Sequence, residues 1–487
     1  MTGKGSVLMP RLLLSAIMTM ALFSSPAHAF QNGPASVAPV AKKLVDAVVN
    51  IATSQTVKGP SGVPLPKVPK GAPFEDFFDD FFNKRGGMPH SDRKISSLGS
   101  GFVIDGKEGL IVTNNHVIEG AEEIEINFHD GSKLKVDKVI GRDTKADLAL
   151  LKVTPKKPLA DVKFGPSATL EVGDWVMAIG NPFGLGGSVS LGIISAKSRD
   201  INSGPYDDYL QTDAAINKGN SGGPLFNMDG EVIGVNTAII SPTGGSIGIG
   251  FAVPSDTVAN VVDQLKQFGE VRRGWLGVKI QTVTDDIAET LGVPENSGAL
   301  IAAVTPESPA AKAGLEAGDV ILKFDNKDVT TMRGLPRIVA QAPIGKAADV
   351  ELLRKGQRKT LQVTVGRLDD GDDTDSDLKQ PGSESSTPGA AIIGLKLSAL
   401  TPDLRRKYGL DEKIKGVVVE GIDPQSAAAK KGIKSGDVIV EAAQEAVSDP
   451  GDVAASVDKV RKAGRKAVLF RVEDGKGDLR FVAVPIS

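Results

Sequence analysis

The 487-residue chain has no cysteine, two tryptophans, three tyrosines and four histidines. Lack of cysteine excludes a disulfide scaffold, so stability must come from burial. With no cysteine and no histidine pair at ligand spacing, no metal site is expected, and no cofactor is called for. No GxxxxGKS/T loop is present to cradle the phosphates of ATP. An excess of either charge is also missing, with 57 Lys and Arg against 60 Asp and Glu. The formal net charge is -3, which gives no general footprint for nucleic acid or an acidic membrane. No nucleic-acid partner is expected, and a peripheral membrane contact is not implied. Beyond the first 30 residues, no segment is long and apolar enough to span a bilayer.

What is present points to several β-rich domains. The length suggests about three domains. Hydrophobic residues make up 40% and glycines number 56, which suits packed cores joined by many turns. The first 29 residues read as an export signal. Lys4 and Arg11 are basic, Leu12 to Phe23 is a short apolar run, and "AHA" at 27–29 is a small-x-small cleavage site. The expected cut follows Ala29; the alternative is an uncleaved anchor.

From Val37 to Phe268, short β-type runs follow one another: "GSGFVID", "GLIVTNNHV", "EIEINF", "LALLKV", "WVMAIG", "SVSLGIISA", "GEVIGVNTAII" and "GIGFAVP". A helix closes the region. Ser255 is placed to cap it, Val258, Val261, Val262, Leu265 and Phe268 recur at helical spacing, and Gly269 ends it. A domain boundary near residue 270 follows. An insertion at about 54–97 interrupts the early strands. It contains "FEDFFDDFF", in which Phe74, Phe77, Phe78, Phe81 and Phe82 form a helical stripe with an acidic back. The stripe fits either its own domain or another molecule.

The second half repeats itself. "SPAAKAGLEAGDVIL" from Ser308 and "SAAAKKGIKSGDVIV" from Ser426 match at one offset, 118 residues. Each copy reads as a short Ala-rich helix, a glycine stop, a tight turn and a buried strand. The expected units are 271–367 and 389–487, joined by a charged, then Ser/Pro/Gly-rich, linker at 368–388. Asp373, Asp375, Asp377 and Glu384 in that linker mimic a calcium loop. Leu378 stands where that loop needs glycine, so the stretch reads as solvated linker.

The chemistry centres on "KGNSGGPLF" at 218–226. A serine hydroxyl needs a base to take its proton, and the base needs an orienting group. Without the signal, the histidines are His90 in the insertion, His129 in the turn-like "FHDG", and His116 at the end of an apolar strand. Asp147 stands at the mouth of "LALLKV", where a carboxylate is costly unless paired; the alternative is an ordinary strand-entry turn. It could hold the imidazole tautomer that leaves the other nitrogen facing Ser221. The glycines beside Ser221 allow successive backbone N–H groups to aim at one oxyanion. Gly219 and Ser221 are the candidate donors, with Asn220 between them. A GxSxG in an α/β-hydrolase sits between a strand and a helix, whereas "GGPLF" leads into a strand.

"TNNHV", "DLALL" and "GNSGGP", in the order His, Asp, Ser and followed by two Gly-Asp-Val-Ile repeats, resemble the HtrA/Deg family of exported serine proteases in its Do-like form. The resemblance covers about residues 37–487. It implies a mainly β fold: a chymotrypsin-like double β-barrel protease domain (30–270) followed by two PDZ domains. It implies His116 as general base, Asp147 as its orienter, Ser221 as nucleophile, and an oxyanion hole from Gly219 and Ser221 with Asn220 helping. Digestive relatives carry Asp before the nucleophile; here Asn220 is neutral, so their ion-pair switch is unavailable and loops must do any switching.

The segment Thr237, Ala238, Ile239, Ile240, Ser241 is placed like the substrate-pairing strand of such proteases. Ile216, Ile247 and Ile249 are candidate walls of the specificity pocket, with plain core as the alternative for each. Small aliphatic residues are expected before the cut. Trp275, Leu276, Gly277 and Val278 look like the first carboxylate-binding loop of a PDZ domain, and "IIGLKL" at 392–397 like a second, less standard one with assembly as an alternative role.

The family supplies the rest. It implies an ATP-independent periplasmic endopeptidase that degrades unfolded or damaged envelope proteins, with chaperone activity toward some of them as a second expected role, and with unfolded polypeptides and protein C-termini as partners. It also implies homo-trimers and higher multiples, and a regulatory role for the Phe-rich insertion. The rival readings are a chaperone or PDZ scaffold with an idle protease domain, and an esterase using the same serine.

Overall fold

The computed structural model describes residues 3, 33–34, 36–57, 93–181, 187–217, 219–241, 245–293, 298–368 and 391–486. The export signal apart from Gly3, its cleavage site, the Phe stripe, His90 and the calcium-like linker all lie outside the described residues.

After a helix at Ala38–Leu44, the chain forms β1 (Val48–Val57), β2 (Arg93–Asp105), β3 (Leu110–Thr113), β4 (Glu123–Asn127), β5 (Lys133–Lys135), β6 (Lys138–Asp143) and β7 (Leu148–Lys152). They make one sheet in the order β5-β4-β1-β2-β3-β7-β6. The expected insertion is narrower than 54–97. β1 and β2 stay in antiparallel register out to Val57 opposite Arg93, so 54–57 and 93–97 belong to strands. "FHDG" is the expected hairpin turn between β4 and β5, with Phe128 N–H donating to Ser132 O at 2.9 Å and His129 exposed.

The second half of the protease region is β8 (Trp175–Gly180), β9 (Ser188–Arg199), β10 (Tyr209–Thr212), β11 (Pro224–Phe226), β12 (Val232–Ile239) and β13 (Gly250–Pro254). They close into a barrel, β10-β13-β12-β11-β8-β9. One apolar core joins both sheets. Phe102, Val112 and Leu150 from the first meet Met177, Phe226 and Val253 from the second, all buried. The helix Ser255–Phe268 closes this core with Val258, Val261, Val262 and Leu265, and ends at Gly269 in a left-handed cap. Ser255 is not its cap. Pro254 holds the N-cap position, and Ser255 Oγ donates instead to Gly165 O at 2.6 Å. The hydroxyl thus ties the helix start to a distant loop.

The two repeats fold alike. The first contains β14 (Gly274–Trp275), β15 (Val278–Thr282), β16 (Ala299–Val304), β17 (Val320–Phe324), β18 (Lys327–Asp328), β19 (Ala347–Arg354), β20 (Gln357–Thr364) and β21 (Gly366–Arg367). The second contains β22 (Ala391–Ile392), β23 (Leu395–Ala399), β24 (Val417–Ile422), β25 (Val438–Ala442), β26 (Glu445–Ala446), β27 (Ala467–Glu473) and β28 (Leu479–Pro485). Their main sheets run β15-β16-β17-β19-β20 and β22-β23-β24-β25-β27-β28. The short helices at Pro309–Lys312 and Ala427–Lys430 are N-capped by Ser308 and Ser426, each accepting at 3.2 Å from the third residue on.

The matched aspartates are buried and paired. Asp319 accepts from Arg354 Nε and Nη2, both at 2.6 Å, and Asp437 from Arg480 Nη2 at 2.8 Å. The Asp319 side chain is only 1% exposed. Arg354→Leu would strand that carboxylate, which costs about 3–5 kcal/mol. Urea unfolding of the variant, read by circular dichroism, should show an early transition for this unit; an unshifted curve would refute the claim.

Contacts also join the units. Arg273 of the first repeat pairs with buried Asp143 of the protease sheet at 2.5 Å, and Arg333 with Asp200 at 2.6 Å. Gln281 exchanges two hydrogen bonds with the backbone of Phe481 in the second repeat, at 3.0 and 2.7 Å.

Candidate active site

His116 does not end a strand. β3 stops at Thr113, and His116 is the second residue of a short helix, Asn115–Ile118, that turns the chain at the seam between the two sheets. Asp147 lies just before β7 and comes to it across the sheet, because β3 and β7 are paired from Leu110 to Thr113. The Asp147 carboxylate grips the histidine twice. Oδ2 lies 2.6 Å from His116 Nδ1, and Oδ1 accepts from the His116 backbone N–H at 2.9 Å. Each side chain is 20% exposed.

This geometry sets the proton chemistry of the imidazole. Burial works to lower its pKa, but the charge of Asp147 and the hydrogen bond to it, with a smaller push from Glu119, prevail. The net result is an imidazole raised above its usual range. With Nδ1 engaged by Asp147, proton exchange with a substrate or a hydroxyl runs through the other ring nitrogen, Nε2.

Asp147 adopts φ 53°, a left-handed conformation that costs a non-glycine residue some energy and needs support. The support is a pair of donors to its carbonyl: Asn114 Nδ2 at 2.7 Å and Asn115 N–H at 3.2 Å. Asn114 Nδ2 also donates to Thr237 Oγ1 at 3.1 Å. Asn114 therefore ties the aspartate turn to β12, the strand expected to pair with substrate.

Ser221 sits in the turn before β11 and is partly exposed. Its Oγ makes no hydrogen bond among the described residues, and neither do the N–H groups of Gly219 and Ser221. Neighbouring groups are all fixed. Asn220 N–H donates to Asn217 O at 3.0 Å, Gly222 N–H to Asn236 O at 2.8 Å, and Gly223 N–H to Asn220 O at 3.0 Å. Gly222 cannot be replaced here. Its φ is +81°, and a Cβ would lie 2.3 Å from Ser100 O and 2.4 Å from Thr113 Oγ1. The Asn220 side chain turns inward, packing on Gly180 and directing Nδ2 to Ala215 O at 3.4 Å.

The five residues Thr237–Ser241 run along β12 and just past its end, with Thr237 and Ala238 buried and Ile240 47% exposed. Ile240 N–H donates to Ile249 O at 3.2 Å. Ile216 is buried and packs where Gly250 leaves room; a Cβ there would lie 2.7 Å from Ile216 Cδ1. Ile249 packs against the core and Ile247 is exposed.

Two comparisons decide the family. A trypsin-like peptidase domain model matches residues 99–235, and a PDZ domain model matches 274–365. A DegP-like periplasmic serine endoprotease of Brucella suis biovar 1 (strain 1330) is 42% identical over 489 residues, covering 94% of this chain and 91% of the relative. A DegP-like periplasmic serine endoprotease of Rhizobium meliloti (strain 1021) is 42% identical over 433 residues, covering 86% and 84%. The chain belongs to the DegP-like serine endoproteases.

Solved structures agree. The HtrA-type protease AlgW with decapeptide aligns at a TM-score of 0.55 and 38% identity, covering 69% of this chain and 99% of that one. The same protease with tripeptide gives 0.56 and 36%, covering 69% and 98%. This DegP-like chain is thus a serine endopeptidase on a mainly β, trypsin-like fold with a PDZ domain.

In the PDZ domain, Trp275 ends β14, Leu276 is buried, Gly277 makes the turn and Val278 starts β15. Gly277 is required by close approach as well as by its φ of +77°; a Cβ would lie 2.2 Å from Ser308 Cβ. Leu276 O and Gly277 O accept from Ala310 N–H at 2.9 Å and Thr305 N–H at 2.8 Å, which fixes the loop. In the second repeat, Gly394 approaches Ser426 in the same way, at 2.3 Å.

The sequence reading missed two site residues. Asn114 gave no signal in the sequence: it is the N-cap of the short His116 helix, makes no side-chain cap, and donates instead to Asp147 O and to Thr237 Oγ1, 123 positions away. Ser100 is the other: a serine between two glycines in β2, now found against the Ser221 turn.

Proposed function

We propose that this chain is an ATP-independent endopeptidase of the periplasm that degrades unfolded or damaged envelope proteins. His116 acts as general base through Nε2, Asp147 fixes its tautomer and stabilises the imidazolium, and Ser221 attacks the scissile carbonyl. The N–H groups of Gly219 and Ser221 receive the oxyanion. The observation that carries this reading is the double grip of Asp147 on His116, at 2.6 and 2.9 Å, beside a serine turn whose two N–H groups have no other partner among the described residues.

A substrate strand adds to the Thr237–Ser241 edge, and the side chain before the cut meets Ile216, Ile247 and Ile249. No charge stands at those three positions, so small aliphatic residues fit best. The loop Trp275–Val278 captures a C-terminal carboxylate, and the second repeat is a second PDZ domain. Export with cleavage after Ala29, homo-trimers or higher multiples, and chaperone activity complete the proposal, on the strength of the family membership.

The test is digestion of an unfolded, cysteine-free protein by the mature chain, with and without free C-terminal peptides, and sequencing of the products. Cuts after Val and Ala should dominate. Cuts mainly after charged or aromatic residues would overturn the pocket assignment. Suppressed aggregation without cleavage would move the function to a chaperone scaffold.

A further inference from the structure

Ser100 lies on β2 in the first sheet, fully buried, yet its hydrogen bonds reach into the other barrel. Its Oγ donates to Gly219 O at 2.5 Å and accepts from Asn181 N–H at 2.8 Å. Its backbone N–H donates to Ser221 O at 2.9 Å. Its carbonyl accepts from Thr113 Oγ1 at 2.8 Å, next to the His116 helix.

Three successive peptide planes follow Gly219, and Ser100 holds the outer two. In the first, the carbonyl of Gly219 is held by Ser100 Oγ and the N–H of Asn220 by Asn217 O. In the third, the carbonyl of Ser221 is held by the Ser100 N–H and the N–H of Gly222 by Asn236 O. The middle plane is held only by its carbonyl, Asn220 O, which accepts from Gly223 N–H. Its other end is the Ser221 N–H, without a partner among the described residues. With the outer planes clamped at both ends, the Asn220 O to Gly223 N–H bond needs only to fix the one rotation left to the middle plane, and that bond sets where the Ser221 N–H points.

We propose that Ser100 is a positioning residue for this protease, locking the 219–222 turn in the shape that presents the Ser221 N–H to the oxyanion. The proposal rests on the reading of Gly219 and Ser221 as oxyanion donors. Loss of the Ser100 hydroxyl leaves the buried Gly219 carbonyl without that donor, and a buried acceptor without a partner drives its peptide to rotate towards another. A rotated Gly219–Asn220 plane drags the Ser221 N–H out of line. The proton relay through His116 and Asp147 is untouched.

The test compares full-length mature Ser100→Ala and Ser100→Cys with the parent and with Ser221→Ala, on a fluorogenic peptide carrying Val before the cut. Loss of one aligned oxyanion donor typically costs about 10²–10³ in rate, so kcat should fall about 10–10²-fold in Ser100→Ala. Ser100→Cys, a near-isostere with a weaker donor, should fall between the two. KM should stay within about twofold, because the change acts in the transition state. Affinity for a peptide boronate, whose oxygen occupies the oxyanion position, should fall by the same factor as kcat/KM. The acid limb of the pH profile should not move.

Unchanged kcat and boronate affinity in folded Ser100→Ala would overturn the proposal. So would a shifted acid limb with boronate affinity intact, since Ser100 would then act through His116. If Ser100→Ala does not fold, Ser100→Cys decides, with the same two outcomes. Undiminished cleavage by Ser221→Ala would instead overturn the oxyanion and nucleophile assignments themselves, and this proposal with them.

Discussion

Ser221→Ala should lower kcat by about 10⁶-fold while leaving folding and substrate binding nearly intact, the scale seen when the nucleophile of a serine protease is removed. The expectation follows from the surroundings of the hydroxyl. The chain has no thiol to take over. The nearby hydroxyls are committed elsewhere: Ser100 Oγ donates to Gly219 O, Thr113 Oγ1 to Ser100 O, and Thr237 Oγ1 to Val235 O. Ser221 Oγ alone among these four makes no hydrogen bond within the described residues, and it is the one on a partly exposed residue. Removing one oxygen atom from a partly exposed turn leaves no large cavity, so thermal unfolding should be almost unchanged. Degradation of an unfolded protein, followed by gel and by peptide release, reads the effect. Equal cleavage by parent and variant would mean another nucleophile or a contaminating protease.

The legible parts of this molecule were those written in local spacing. Gly-Asp-Val-Ile at a fixed offset marks a repeated unit because a glycine stop, a turn and a buried strand recur together, and the two folded copies share their capped helices and buried aspartates. Asp147 stood out because a carboxylate before "LALLKV" needs a partner, and it has one in His116. The helix carrying His116 was hidden because four residues are too few to show a helical period beside a β-run. Ser255 misled for a different reason. A serine ahead of a periodic apolar stripe reads as a cap, but its hydroxyl found Gly165 O, 90 residues away in sequence. Ser100 and Asn114 belong to the same class. Their partners lie 119 and 123 positions away, so only the docking of the two sheets reveals them.

Asp147→Asn separates proton chemistry from packing, and should cost about 10⁴-fold in kcat. The amide keeps the volume of the carboxylate, and its oxygen can still accept from the His116 backbone N–H. It can also donate to Nδ1, which would place the imidazole proton on Nε2. That is the nitrogen meant to take the proton of Ser221, so the wrong tautomer removes the base without removing the histidine. The pH profile gives a second, independent reading. Asp147 raises the His116 pKa through its charge and hydrogen bond, against the lowering effect of burial. The base works only when neutral, so activity of the parent falls as pH drops through that raised value. In Asp147→Asn the raising influence is lost and burial remains. The acid limb should therefore move to lower pH, even as the plateau drops. A lower plateau with an unmoved acid limb would mean that Asp147 supports the turn at its φ of 53° rather than the charge on the imidazole. Asn114, whose Nδ2 holds the Asp147 carbonyl, makes that distinction sharp, because it grips the backbone and not the carboxylate. The turn keeps that support in the variant, so a shift of the limb can be assigned to the carboxylate alone.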